Sequence, residues 1–181
     1  MREYSLDQKQ LFIVLTDTGS VLTRAIKFFT KAPYNHVSIS LDPSFKTLYS
    51  FGRKKPRNPF MGGFVQESFN EGTYKRFEDT SCLVLKMDID ADIYDKLEEN
   101  VGIFVENMDR YHYNFIGLFG AAIGKQISRR NGYYCSHFVA KVMEDADLKL
   151  WDTPSFLVTP EDFQHHDEFK VVYEGLMREF I

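Results

Sequence analysis

Cys135 is the residue of this sequence best placed for nucleophilic chemistry, because it stands at the start of a predicted helix. Phe138, Val139, Val142 and Ala146 follow it at offsets of 3, 4, 7 and 11, the spacing of one buried helix face. A thiol at a helix N-terminus is close to unpaired backbone N–H groups and to the positive end of the helix dipole, which favour the thiolate. The same N–H groups can stabilise an oxyanion. The alternative is a free cysteine that packs only as a small hydrophobe.

A general base for this thiol is available at His36. It lies in residues 35–41, whose alternation predicts a strand with the imidazole on one defined face. Asp42, Pro43 and Ser44 form a turn, and residues 46–51 return as a second strand, so the pair predicts a hairpin. An imidazole with an ordinary pKa near 6.5 suits proton transfer near neutral pH. A histidine that is merely hydrogen-bonded on the sheet is the alternative.

The segment YCSHFV, residues 134–139, resembles the asparagine-cysteine-glutamate-histidine-phenylalanine-valine signature of lecithin:retinol acyltransferase-like proteins. More broadly, it resembles the cysteine helix of circularly permuted NlpC-like papain-fold hydrolases, which include a YiiX-like branch. The order of histidine strand, second strand, long interval, cysteine helix, a Thr-Pro-Glu-Asp segment and the ending VVYEG is similar over residues 11–175. The resemblance implies an α+β, circularly permuted papain-like (NlpC-like) domain over residues 1–181, with a mostly antiparallel sheet packed against the cysteine helix.

The resemblance also implies a third residue that orients the histidine, placed on the strand after the histidine strand. That position falls at Ser50, or at Tyr49 if the hairpin register differs by one. In the resembled families this residue is a histidine, a glutamate or another polar residue. Serine departs from the pattern because it brings no negative charge, so it stabilises an imidazolium less than a carboxylate does. Glu67 could supply the carboxylate instead. We expect Ser50 first and Glu67 second.

Other polar residues have less specific interpretations. Tyr133 and Tyr134 line the substrate groove, donate to an oxyanion, or are ordinary buried aromatics before a helix. For His137 we expect a structural hydrogen bond. His165 and His166 lack the spacing of a metal site, so no metal and no cofactor is predicted.

Four basic residues cluster in the segment that follows the predicted hairpin. We expect either a solvated loop or a site for an anionic group of the substrate at Arg53, Lys54, Lys55 and Arg57.

Length and composition favour one domain with a sizeable core, since 44% of the 181 residues are hydrophobic. The net charge of −4 gives no overall attraction for nucleic acid. The two cysteines, Cys82 and Cys135, have no metal or disulfide spacing. The N-terminal apolar run is too short for a signal peptide or a membrane span, so we expect a cytoplasmic protein with no integral membrane segment.

The remaining pattern predicts the elements around the site. Strands are expected at 11–15, 82–87 and 169–173, and helices at 21–29 and 93–108, with a short helix starting at Thr159-Pro160-Glu161-Asp162. Residues 52–73 are rich in Gly, Pro and Asn and predict a loop over a groove, and residues 111–124 predict a compact turn and short helix.

Together these features predict a thiol-dependent peptidase or amidase that cleaves a peptide-like or amino-acid-containing substrate through an acyl-cysteine intermediate. Two alternatives stay open. One is a lipid-directed acyltransferase or thioesterase on the same fold. The other is a non-catalytic module that binds a lipid or peptide, for which a neutral third position is expected.

Overall fold

The computed structural model describes residues 8–20, 27, 32–55, 58–122, 125, 127 and 129–180. The strands are β1 (Gln8–Asp17), β2 (His36–Ser40), β3 (Leu48–Lys55), β4 (Asn58–Glu67), β5 (Ser81–Asp90), β6 (His112–Tyr113), β7 (Gly132–Tyr133) and β8 (Lys170–Leu176). The α-helices are α1 (Gly72–Arg76), α2 (Ala91–Glu106), α3 (Phe115–Ala122), α4 (Cys135–Asp145) and α5 (Pro160–Gln164).

Six strands form one antiparallel sheet in the order β4-β3-β2-β1-β5-β8, and β6 and β7 form a short parallel pair beside it. In the register of β1 and β2, Thr16 pairs with His36. His36 therefore stands at the end of a central strand, where a side chain can reach past the sheet. The architecture is a mixed α+β fold with a mostly antiparallel sheet, as predicted.

Helix α4 packs against one face of this sheet because its apolar residues repeat at helical spacing. Cys135, Phe138, Val139 and Val142 are buried, and they join a core that also includes Leu97 of α2. Each fully buried side chain of this size contributes about 1.5–3 kcal/mol relative to exposure. This packing fixes the start of α4, and with it the thiol, against β2.

The other face of the sheet carries a smaller core. Phe12, Val14 and Val84 point to this face, where they pack with residues from the segments after β2, β4 and β8. Those residues include Phe45, Phe69 and Tyr74. Tyr74 is the buried residue of α1, so this second core brings α1 against the sheet near β4.

The prediction of a loop over residues 52–73 is wrong. Strand β3 extends to Lys55, and residues 58–67 form β4, which pairs with β3 along most of its length. Gly62 and Gly63 interrupt the alternation that would have indicated this strand. Alternation is clear only after them, where Phe64 packs in the main core and the next residue, the buried Val65, lies outside that core.

The other predicted elements match the described ones to within a few residues. The hairpin is β2 and β3, the strands are β1, β5 and β8, and the long helix is α2. Residues 111–124 include β6 and α3 rather than a turn and helix alone, and α5 starts with a capping box between Thr159 and Asp162. The helix predicted at 21–29 lies outside the described residues, apart from residue 27.

Candidate active site

The thiol of Cys135 lies at the first residue of α4, where several groups stabilise its ionised form. Burial alone raises the pKa of this thiol. A hydrogen bond to His36 and the charge of that residue, followed by the backbone N–H groups of Val37 and Ser136, outweigh burial and lower the pKa below its ordinary value. The thiol is therefore poised to ionise, as the helix start predicts.

His36 lies between this thiol and a carboxylate. Its Nε2 is 3.0 Å from Oε2 of Glu67, which leaves Nδ1 as the ring nitrogen available to Cys135. Burial lowers the pKa of the imidazole, but the charge of Glu67 and the hydrogen bonds to Cys135 and Glu67 raise it to about 10. The side chains of His36 and Glu67 are only 18% and 12% exposed, so solvent screens this pair weakly. The arrangement favours an imidazolium beside a thiolate.

Glu67 is itself held by further donors. Its Oε2 accepts hydrogen bonds from Ser38 Oγ at 2.9 Å and from Tyr74 Oη at 3.3 Å, in addition to His36. Tyr74 is also 3.5 Å from Oγ1 of Thr16. Burial raises the pKa of Glu67, but His36, Ser38 and Tyr74 lower it below its ordinary value. The carboxylate therefore stays ionised and directed at the imidazole.

The pairing of β3 with β4 brings Glu67 to the histidine. Leu48 pairs with Glu67, and on the same strands Gly52 pairs with Gly63. A Cβ at position 52 would lie 3.4 Å from Oε1 of Glu67 and 3.6 Å from Cε1 of His36. A larger side chain at Gly52 would therefore crowd the histidine and the carboxylate, and glycine leaves room for their contact.

Ser50 and Tyr49 do not occupy the predicted third position. The buried Ser50 hydroxyl donates to the Val37 carbonyl at 2.6 Å, so it stabilises the hairpin rather than the imidazole. The Tyr49 side chain lies on the face of the sheet that carries the main core, opposite to the face of Ser50, and its ring stacks on Phe64. The register explains both placements: Ile39 pairs with Tyr49, so the residue of β3 beside His36 is Gly52. Glu67, the second choice from the sequence, makes the contact.

Tyr113, which the sequence did not indicate, lies against the thiol. Its hydroxyl makes a hydrogen bond with the Cys135 side chain and accepts one from the Cys135 backbone N–H. Burial and the nearby Cys135 and Tyr134 raise the pKa of Tyr113 well above its usual range, so the hydroxyl keeps its proton. A Cβ at Gly62 would lie 2.7 Å from Cβ of Tyr113, so the glycine of β4 permits this position.

The two tyrosines before the thiol pack in the interior. Tyr134 is buried and its hydroxyl donates to the Phe156 carbonyl. Tyr133 contacts the rings of Phe51 and Phe104 in the main core. Of the three interpretations that the sequence allowed for Tyr133 and Tyr134, these contacts fit ordinary buried aromatics before a helix.

A cavity of about 650 Å³ opens beside Glu67 and Tyr74, along the outer strand β4. Arg53 and Lys54 of the predicted basic cluster are among its lining residues. Lys55 is the last residue of β3, and Arg57 lies outside the described residues.

The other histidines lie away from this cluster. His137 contacts the rings of Tyr133 and Tyr134, and its Nδ1 is buried with no hydrogen-bond partner among the described residues, contrary to the hydrogen bond that we expected. Burial and Lys141 lower its pKa to about 4, so it is neutral. His166 Nε2 is 3.0 Å from the Leu150 carbonyl, and the exposed His165 is 4.0 Å from Glu161.

Cys82, the second cysteine, is buried on the other face of the sheet. Burial raises the pKa of its thiol to about 12, so it stays protonated at neutral pH. Only one of the two thiols is therefore set up to react.

Comparisons with known proteins define the fold but not the family. No protein-family model matches the chain, and no curated protein matches its sequence. The chain is similar in structure to the metalloprotein YiiX from Escherichia coli O157:H7, a DUF1105 protein, with a TM-score of 0.55 and 14% identity. The match covers 93% of this chain and 98% of YiiX. The two proteins therefore share a YiiX-like mixed α+β fold over nearly their whole lengths.

The helices of the described part are too short or too polar for a bilayer crossing, so none of them is a candidate membrane span.

Proposed function

We propose that this protein is a cysteine hydrolase on a circularly permuted, papain-like (NlpC-like) fold, and that it cleaves an amide through an acyl-cysteine intermediate. The observation that carries the proposal is the contact series from Cys135 through His36 to Glu67. A thiol, an imidazole and an orienting carboxylate in hydrogen-bonded order are the parts that nucleophilic catalysis by cysteine requires.

The first half of the reaction forms the acyl-enzyme. The Cys135 thiolate attacks the substrate carbonyl carbon, a C–S bond forms, and the carbonyl electron pair moves to oxygen. The resulting oxyanion lies near the start of α4, where the Tyr113 hydroxyl, which contacts the Cys135 side chain, can donate to it. The electron pair then returns, the C–N bond breaks, and the leaving amine takes the proton from His36.

The second half releases the acyl group. His36, now neutral, accepts a proton from water as the water oxygen attacks the thioester carbonyl. Collapse of this second intermediate breaks the C–S bond and restores the thiolate beside an imidazolium. Glu67 stays ionised throughout and holds the ring through Nε2.

Glu67 also favours an enzyme over a binding module. In a non-catalytic module the buried carboxylate could serve only the stability of the fold, and burial of such a charge is costly without its partners. In an enzyme the same carboxylate also orients the imidazole towards the thiol. Transfer of the acyl group to an amine or alcohol would use the same thioester, and the acceptor alone distinguishes it from hydrolysis.

The similarity to YiiX, described as a metalloprotein, raises the question of a metal. Among the described residues, no group of three or more His, Cys, Asp and Glu side chains is arranged to hold a metal ion. His36 is engaged with Glu67 and Cys135. The residues present do not fit such a site, and the mechanism proposed here uses the side chains of the chain itself.

The proposal is tested by alkylation of the intact protein with iodoacetamide over a range of pH, read by mass spectrometry at Cys135 and Cys82. Cys135 is expected to react well below the ordinary thiol pKa of about 8.5, and Cys82 is expected to stay unreacted. In His36→Ala the reactivity of Cys135 should shift towards that of a free thiol. Cys135 that is unreactive, or indifferent to His36→Ala, would contradict the proposal.

A further inference from the structure

Arg53 lies at the same end of the sheet as His36. Its Nη2 donates to Ser20 Oγ at 2.9 Å and to Thr18 Oγ1 at 3.4 Å. These two hydroxyls follow the end of β1, whereas Arg53 belongs to β3, and β2 lies between the two strands. The guanidinium therefore reaches across the start of β2, where His36 stands. The two hydroxyls hold it in place.

The guanidinium of Arg53 has no carboxylate within ion-pair distance in the described part of the chain. Its hydrogen bonds go to hydroxyl groups, and it forms no ion pair with any described Asp or Glu. Arg76 also forms no ion pair with a described Asp or Glu. The guanidinium of Arg53 lies 5.3 Å from the centre of the Phe77 ring, and that of Arg76 lies 5.8 Å from it. Both cations are thus held by an aromatic face rather than by an opposite charge.

Arg53 lies within electrostatic range of the catalytic groups. Burial lowers the pKa of Arg53, and the groups that act against this effect include Glu67, Tyr74 and Tyr113. Glu67 contacts His36, and Tyr113 contacts Cys135. The cavity beside Glu67 is lined by Arg53 as well, so a ligand that enters it meets the guanidinium. A half-buried cation in such a position attracts an anion into this cavity, which borders the catalytic groups at Glu67.

We propose that Arg53 binds a carboxylate of the substrate whose carbonyl is attacked by Cys135. The substrate class would be an acylated amino acid or a peptide whose terminal carboxylate lies next to the scissile amide. A guanidinium fits a carboxylate with two parallel N–H donors. A substrate carboxylate would supply the direct ion-pair partner that Arg53 lacks in the described part of the chain. This proposal rests on the proposed function, since it assigns the specificity of that site.

The test compares two alkylating reagents that differ by a carboxylate. Iodoacetate and iodoacetamide both react with the Cys135 thiolate, but only iodoacetate carries a negative charge. The ratio of their rate constants is measured in the full chain, in Arg53→Gln and in Lys9→Gln. Lys9→Gln is the matched control, because it also removes one positive charge but lies in β1 opposite Ile89, at the far end of the sheet. Within each variant, the iodoacetamide rate corrects for any change in the thiolate population.

Arg53→Gln is expected to lower the iodoacetate-to-iodoacetamide ratio by about threefold to tenfold, as the loss of one charge at short range implies. Lys9→Gln should leave the ratio unchanged, and added salt should reduce the difference between the full chain and Arg53→Gln. An equal ratio in the full chain and Arg53→Gln, or an equal fall in Lys9→Gln, would overturn the proposal. Failure of the proposed function itself would be distinct, because Cys135 would then react slowly with iodoacetamide in every variant.

Discussion

Replacement of Glu67 by glutamine tests how the carboxylate controls the thiol. The substitution keeps the size and one acceptor oxygen of the side chain but removes the charge that lies 3.0 Å from Nε2 of His36. Ser38 and Tyr74 can still donate to the amide oxygen. The folded structure should therefore survive, and the change acts mainly on the ionisation of His36.

The magnitude follows from the pKa of His36, which rises to about 10 in the folded protein. The ordinary pKa of an imidazole is near 6.5, and each pKa unit corresponds to about 1.4 kcal/mol. The site therefore stabilises the imidazolium over the neutral imidazole by roughly 5 kcal/mol. The charge of Glu67 is the largest contribution that raises this pKa. Its loss should lower the pKa of His36 by about two units, and it should raise the pKa of Cys135 because the thiolate then loses part of its cationic partner.

The assay is the pH dependence of iodoacetamide alkylation at Cys135. In Glu67→Gln the acidic limb of the profile should move to higher pH, and on this limb the rate at a given pH falls by about tenfold for each pH unit of the move. Glu71→Gln is the matched control, because Glu71 lines the same cavity but is exposed and is not bonded to His36. A Glu67→Gln profile that superimposes on those of the wild type and Glu71→Gln would refute the role of the carboxylate.

Three further predictions concern the groups around the thiol. In Tyr113→Phe, the turnover rate of an activated ester should fall by about 100-fold, far more than the alkylation rate of Cys135. The reason is that attack on the ester forms an oxyanion that Tyr113 stabilises, whereas alkylation forms none. Equal losses in the two assays would contradict that role. Gly62→Ala should lower the free energy of unfolding in urea by about 1–3 kcal/mol, because its Cβ would meet Tyr113 at 2.7 Å. Gly102→Ala, with open space around the new Cβ, should not destabilise the protein, and equal effects would refute the packing argument. The imidazolium of His36 stabilises the fold fully below its unfolded pKa near 6.5, and this contribution is lost as pH rises to about 10. Ionisation of Cys135 opposes this loss only up to the unfolded thiol pKa of about 8.5. Above that pH, ionisation of the Cys82 thiol in the unfolded chain destabilises every variant alike, because burial raises its folded pKa to about 12. Between about pH 8.5 and 10 we therefore expect the wild type to lose about 2 kcal/mol more than His36→Ala in denaturant titrations, and equal losses would contradict the role of the imidazolium.

The positions of the candidate nucleophile and the candidate base could be predicted from the sequence, because both residues lie on elements with clear periodicity. Cys135 precedes apolar residues at helical spacing, and His36 lies in an alternating strand beside a recognisable turn. The structure places both where these patterns indicate. The local sequence was sufficient to predict where Cys135 and His36 lie, because each position depends only on the helix or strand that carries the residue.

The rest of the site depends on contacts between distant segments, and local patterns carry little information about those. Glu67 reaches His36 only because β4 pairs with β3, and the two glycines at 62 and 63 hide the alternation of β4. Tyr113 lies on a two-residue strand, which is too short to have a period. Its place beside Cys135 comes from the pairing of β6 with β7 and from the close approach at Gly62.

The central claim is that Cys135 forms an acyl-enzyme, and trapping of that intermediate tests it most directly. The protein is mixed with p-nitrophenyl acetate, quenched in acid and analysed by mass spectrometry. We predict one acetyl group on Cys135 that hydroxylamine removes, none on Cys82, much slower acetylation in His36→Ala, and no thioester in Cys135→Ser. Absence of acetylation at Cys135, or acetylation at the same rate in His36→Ala, would contradict the account.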